Sequence, residues 1–256
     1  MRLVQVTLPG RWLCSFLLVA LLSGAGARAA DQPAVVAVAG HDASVLRLGD
    51  GRRVRLAGIH VPPLADGGLD PAAVLALDGL IGTAGLSLPP APWLLDRHGR
   101  LRVQVHADTG AWLQGELVRR GLALAAPAPD VPKPVLAALL ALERTARATG
   151  QGLWARGGSG PWPAHRVAAA RGGYVLVRGR VQRVARAQDF VYLNFGDDWR
   201  SDFTVRVEAR QAVRFARAGL ELKALEGRNV EVRGLLFQTN GPMIDLTHPR
   251  QIETFE

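Results

Sequence analysis

Short runs of alternating apolar and polar residues dominate the chain, and a few longer stretches carry apolar positions three and four apart. The first pattern predicts strands and the second predicts helices. Val35 to Val38 and Ser44 to Leu48 read as a hairpin around Gly40-His41-Asp42, and a turn at Gly49-Asp50-Gly51 leads to a third strand over Arg53 to Ile59. Asp70 to Leu80 reads as a helix, with Asp70 as its cap, Pro71 in its first turn, and Val74, Leu77 and Leu80 or Ile81 on one face. Leu86, Leu88 and Trp93 to Leu95 are extended pieces broken by prolines. A polar turn, Asp96-Arg97-His98-Gly99-Arg100, precedes a strand over Leu101 to His106. Trp112 to Arg120 predicts a short helix ended by Gly121, and Val135 to Thr149 a longer one with Leu136, Leu139, Leu140, Glu143 and Arg147 at helical spacing.

A Gly/Pro-rich break follows, Gly157 to Pro163, and it predicts a linker over 157–168. Beyond it lie five candidate strands: Tyr174 to Val184, Phe190 to Phe195, Phe203 to Glu208, Asn229 to Phe237 and Pro242 to Leu246. Gln211 to Ala218 is the one helix predicted there. Five strands in about ninety residues suit a small barrel of the oligonucleotide/oligosaccharide-binding type, whereas an immunoglobulin-like sandwich wants about seven. The fold class is mainly β with α, in two domains, 31–156 and 169–256.

The first 29 residues change the picture of where the protein works. Arg2 and Arg11 precede an apolar run from Trp12 to Leu22, and small residues lead to Ala27-Arg28-Ala29. This is the layout of a secretory signal peptide, and export to the periplasm or medium is expected. The alternative is an uncleaved anchor, for which the run is short. After cleavage no transmembrane anchor is expected. The only cysteine, Cys14, lies in this segment, so thiol catalysis and cysteine-ligated zinc are excluded from the mature protein. Removing Arg2, Arg11 and Arg28 leaves 28 bases against 22 acids, and Lys133 and Lys223 are the only lysines. Arginine favours two-pronged contacts to phosphate or carboxylate. A compositional bias of the coding DNA would give the same excess of arginine.

Candidate chemistry centres on Val54 to Pro63, V-R-L-A-G-I-H-V-P-P. Here a strand carrying Arg55 meets a glycine and then two prolines, neither of which donates to a sheet ladder. Three pieces stand in fixed order: V-R-L-A-G-I-x-V-P, then D-R-H-G-R before a strand, then L-V-R-R-G-L-A with E-x-x-A-R and G-L-W. Together they resemble the staphylococcal nuclease (thermonuclease) family over Val35 to about Ala155. The resemblance implies a five-stranded barrel with three helices. In active members it also implies a calcium-dependent phosphodiesterase site. Carried over position by position, Arg55 and Arg100 take the two phosphate-binding arginine positions. The early metal carboxylate falls on Ala43, the loop aspartate on His60, its threonine on Val61, and the glutamate near the attacking water on Pro63. Asp42 is one residue away from the metal position, which in a strand points it to the opposite face.

Calcium wants several oxygen ligands, and these positions offer none. No cofactor is therefore expected, no catalytic residue is assigned, and a degenerate nuclease that holds phosphate through Arg55 and Arg100 is the expectation. Both arginines would equally serve as ties between loops and nearby carboxylates. His41, His60 and His98 lie near the same place, without metal-site spacing. In the second domain, Phe190 to Val205 is aromatic-rich, and Tyr192, Trp199 and Arg200 are candidate nucleic-acid contacts. A barrel core explains the same aromatics. That segment also looks like a domain often appended to nuclease-like domains in exported bacterial proteins. The expected partners are single-stranded nucleic acid or another phosphate-bearing ligand, with an envelope protein as a further option. The alternative function is a residual or re-invented metal-dependent phosphodiesterase.

Overall fold

A computed structural model describes residues 35–38, 43–64, 66–82, 85–155, 161–170, 173–198 and 200–256. The expected signal segment, Asp42, His41 and Trp199 lie outside them. Among the described residues no helix is long and apolar enough to cross a membrane. The protein is mixed α/β, and its apolar side chains gather into two separate cores.

The first core is enclosed by a five-stranded sheet. Strands β1 (Val35–Val38), β2 (Val45–Leu48) and β3 (Arg53–Leu56) form an antiparallel meander. Val54 and Leu56 point inward while Arg53 and Arg55 point out, as alternation requires. The expected third strand does not run on to Ile59. Gly58 turns the chain at φ +84°, and Ile59–His60 restarts as β4 in a different ladder. Helix α1 (Pro71–Ile81) follows, capped by the Asp70 carboxylate, which accepts the Ala72 N–H at 2.9 Å.

Next come β5 (Leu86–Ser87), β6 (Leu94–Leu95), β7 (Leu101–Val103) and β8 (His106–Ala107). β7 lies parallel to β3 and completes the sheet order β1-β2-β3-β7-β6. The strand expected over Leu101 to His106 is split because the fully buried Gln114 takes over its backbone. Gln114 accepts the Val105 N–H at 3.1 Å and donates to the Val103 carbonyl at 2.8 Å. Gln114 belongs to α2 (Leu113–Arg119). Strand β9 (Leu124–Ala125) then pairs with β4, and helix α3 (Lys133–Ala148) buries Leu136, Leu139, Leu140, Glu143 and Ala146.

Gly121, at φ +67°, lies against the turn after α3. A Cβ there would overlap the Gln151 carbonyl, and Leu153 donates to the Gly121 carbonyl at 2.8 Å. This close approach explains why R-G-L-A and G-L-W occur together.

Of the expected linker, residues 157–160 lie outside the described set. The remainder is folded: β10 (Trp162–Pro163) pairs parallel with β11 (Gly173–Arg180), and a 3-10 turn over Ala164–Ala169 buries Val167. Strands β12 (Arg183–Ala187), β13 (Phe190–Asn194) and β14 (Thr204–Glu208) follow, then helix α4 (Ala209–Arg217). Strands β15 (Asn229–Gln238), β16 (Pro242–Leu246) and β17 (Ile252–Thr254) end the chain. The order is β10-β11-β15-β16-β14-β13-β12, with β17 beside β15. β12 sits at the far end of that order, yet only Val181 and Gln182 separate it from β11. The sheet must therefore curl back on itself. β10 and β17, short and flanked by prolines or chain end, are strands the alternation pattern did not predict.

Candidate functional site

Arginines collect on the outer face of the first sheet. Arg55 on β3 lies directly opposite Arg102 on the parallel strand β7, and Arg53 lies opposite Arg47 on β2. Period-two alternation puts all four on the face away from the core, since their neighbours Leu46, Val54, Leu56, Leu101 and Val103 are buried. Like charges directly opposed across strands are destabilising, so this register gains from a nearby anion. One is supplied from the turn before α3: Asp130 meets the Arg102 guanidinium at 3.0 Å.

Arg100 enters the same face from the polar turn before β7, and its partner is local. Its Nε donates to Asp96 at 2.6 Å and its backbone N–H donates to the same carboxylate at 3.0 Å. Burial works against ionisation of Asp96. The backbone N–H groups of Arg100 and His98 and the Arg100 guanidinium outweigh it, and the pKa is held down at about 2. His98 is part of this turn, its carbonyl accepting from Arg53 at 2.8 Å. Arg100 is thus a turn-fixing residue as well as a charge on the face.

The loop after β3 has gone a different way. His60 on β4 pairs with Leu124, and its ring stacks on Tyr174 of β11 at 5.3 Å between centroids. Val61 is buried and Pro63 exposed, while Ala43 is sealed in the core at 1% exposure.

Around this contact the second sheet is bonded to α3 and β9. Arg233 on β15 reaches Glu143 of α3 at 2.8 Å and donates to the Ala125 carbonyl at 3.1 Å; Glu143 in turn accepts the Ala125 N–H at 2.6 Å. Burial disfavours the Arg233 cation, but Glu143, Tyr174 and Glu231 together outweigh it and raise its pKa. Burial also pushes the Tyr174 phenol above its usual range. Beside this pair, Glu231 takes both Nη atoms of Arg147 at 3.0 and 2.9 Å and Arg178 Nε at 2.7 Å.

Residues 83–156 match the family model described as staphylococcal nuclease homologue. That part of the chain is nuclease-like. The nuclease-like stretch takes in Arg100, Arg102, α2, α3 and Glu143; Ala43, Arg55, His60, Val61 and Pro63 all precede it. A search of curated proteins returns no match.

The calcium of active nucleases does not fit the residues at the carried-over positions. Ala43 and Val61 present hydrocarbon, Pro63 has no donor side chain, and the His60 ring lies against Tyr174. A hard cation takes oxygen ligands. Among the described residues no three His, Cys, Asp or Glu side chains gather where they would hold a metal.

The aromatic stretch of the second sheet divides by alternation. Phe203 is buried and Phe195 packs on it at 4.9 Å, while Phe190 and Tyr192 stand on the outer face. Arg200 is exposed in the Asp198–Asp202 turn.

Sequence reasoning missed Arg102 and the Arg233–Glu143 pair. Arg102 was legible as the i+2 neighbour of Arg100. Arg233 was not, because Glu231 and Arg233 alternate with Val230 and Val232 as they would on a solvated face.

Proposed function

We propose that the protein is an exported, non-catalytic nuclease-like module that binds phosphodiester strands, and that its two sheets are both barrels of the oligonucleotide-binding type. The observation that carries the reading is the register of Arg55 against Arg102, flanked by Arg47, Arg53 and Arg100 on one face. Asp96 and Asp130 pair with Arg100 and Arg102 on this face. Guanidinium pairs grip phosphate oxygens in two-pronged fashion and need no metal to do so. Hydrolysis is a separate matter. It wants a base to take a proton from water and a cation to absorb developing charge, and the His60–Pro63 loop supplies no carboxylate for either task. Export rests on the charged and apolar layout of residues 1–29.

Fluorescence anisotropy with single-stranded DNA over a range of salt tests the reading. Binding should weaken with salt, and Arg55→Gln should lower affinity and reduce the slope of log K against log salt by about 1. Absence of binding at low ionic strength overturns it. Cleavage of the strand by the mature protein overturns the non-catalytic part.

A further inference from the structure

The second sheet carries a groove of about 400 Å³ on its outer face. Register explains it. One row across the sheet runs Ala185, Tyr192, Arg206, Asp245, and the next runs Arg183, Asn194, Thr204, Met243. Within each row the residues are Cα partners on neighbouring strands, so their side chains project to the same side. Ala185 is too small to cover the Tyr192 ring opposite it, and Ala187 is equally small beside Phe190. The face of the ring therefore borders open space. Thr239 and Asn240, in the turn between β15 and β16, close one end.

The groove has a fixed cation. Arg206 gives both prongs to Asp245, at 2.7 and 2.8 Å, and its guanidinium lies 4.6 Å from the Phe190 ring centroid and 5.7 Å from that of Phe237. Held on three sides, it is fixed in place next to Tyr192. Arg183 stands at the rim. The lining holds Arg183 and the Asp245-paired Arg206, with amide and hydroxyl groups at Asn194, Thr204 and Asn240.

We infer that this groove takes a nucleobase of a single strand, with the base stacked on Tyr192, its edge facing the Asn194 and Thr204 side chains, and its phosphate toward Arg183. The ligand class follows from the combination. The planar surface at Tyr192 selects a π-faced ligand, neutral hydrogen-bonding groups suit a base edge, and the Arg183 guanidinium at the rim suits a phosphate. The volume is in the range of small-molecule sites and suits one nucleotide unit. The inference rests on the proposed strand binding and adds recognition of the base.

The test compares a labelled oligothymidylate with an abasic strand of equal length, by anisotropy at fixed low salt. The wild-type protein should bind the base-carrying strand roughly tenfold or more tightly than the abasic one. Tyr192→Ala should erase that preference and leave abasic binding unchanged, which also shows that the protein is folded. Tyr192→Phe should keep the preference. Arg55→Gln should weaken both strands alike. Equal affinity of the wild type for the two strands, or a preference that survives Tyr192→Ala, overturns the groove and leaves the phosphate reading standing. Binding of neither strand overturns both. Tyr192-dependent binding of an uncharged peptide, with no strand bound, overturns the groove's ligand in favour of a protein.

Discussion

Arg233 and Glu143 lie 2.8 Å apart with side chains only 6% and 4% exposed, and they belong to different cores of the protein. Removing one charge from such a pair strands the other in a dry place, at a cost of about 3–5 kcal/mol. Arg233→Met should lower the urea midpoint accordingly. The double variant Arg233→Met with Glu143→Gln should recover much of the loss, because a glutamine still accepts the Ala125 N–H. Additive losses in the double-variant cycle would show that the two residues act separately.

Gly58 is required twice over. Its φ of +84° suits glycine, and a Cβ there would stand 3.0 Å from Leu139 and 3.2 Å from Val131. Gly58→Ala should therefore destabilise by about 1–3 kcal/mol. Thermal melts check this, and an unchanged melting temperature would mean that the turn relaxes freely.

How much of this was legible beforehand depends on what each signal measures. Local signals were read well: Asp70 before Pro71 placed α1, and the spacing of Leu136, Leu139 and Leu140 placed α3. Alternation also placed β13 to β16 to within a residue or two. It failed where a side chain replaced a ladder, as Gln114 does beside Val105, since a polar residue in a helix pattern carries no sign of its target. It failed again at Glu231 and Arg233, because alternation distinguishes one face from the other and not water from a neighbouring sheet. The arginine face was half legible. Arg55 and Arg100 came from a motif, whereas the partnership of Arg55 with Arg102 needs the β3–β7 register, which no local pattern encodes.

Asp96 gives the stability a pH dependence. Its folded pKa of about 2 lies below its ordinary value of 3.8. The contribution is therefore complete above about pH 5 and is lost as pH falls from there through the folded value of about 2. A full shift corresponds to about 2 kcal/mol. Asp96→Asn should flatten the fall of stability in that interval, measured by urea titration at successive pH values. It should leave the slope above pH 5 as it was.

Calcium should not stabilise the mature protein. A ligand that binds only the folded state raises the melting temperature by mass action. With hydrocarbon at Ala43 and Val61 and a stacked ring at His60, millimolar calcium and excess chelator should give superimposable melts. A calcium-dependent rise would reveal a site elsewhere and would reopen metal-assisted cleavage.

The Glu143–Arg233 pair also has a consequence in time. The two residues are 90 positions apart, so at a synthesis rate of about 5–20 residues per second Arg233 leaves the ribosome roughly 5–20 seconds after Glu143. Over that interval the half-made chain lacks the guanidinium that α3 and β9 close upon. Until β15 arrives, the Glu143 carboxylate has no Arg233 to offset its burial. A chain stopped anywhere before Arg233 would thus lack the partner of a buried carboxylate, and its first half would be finished only by its second.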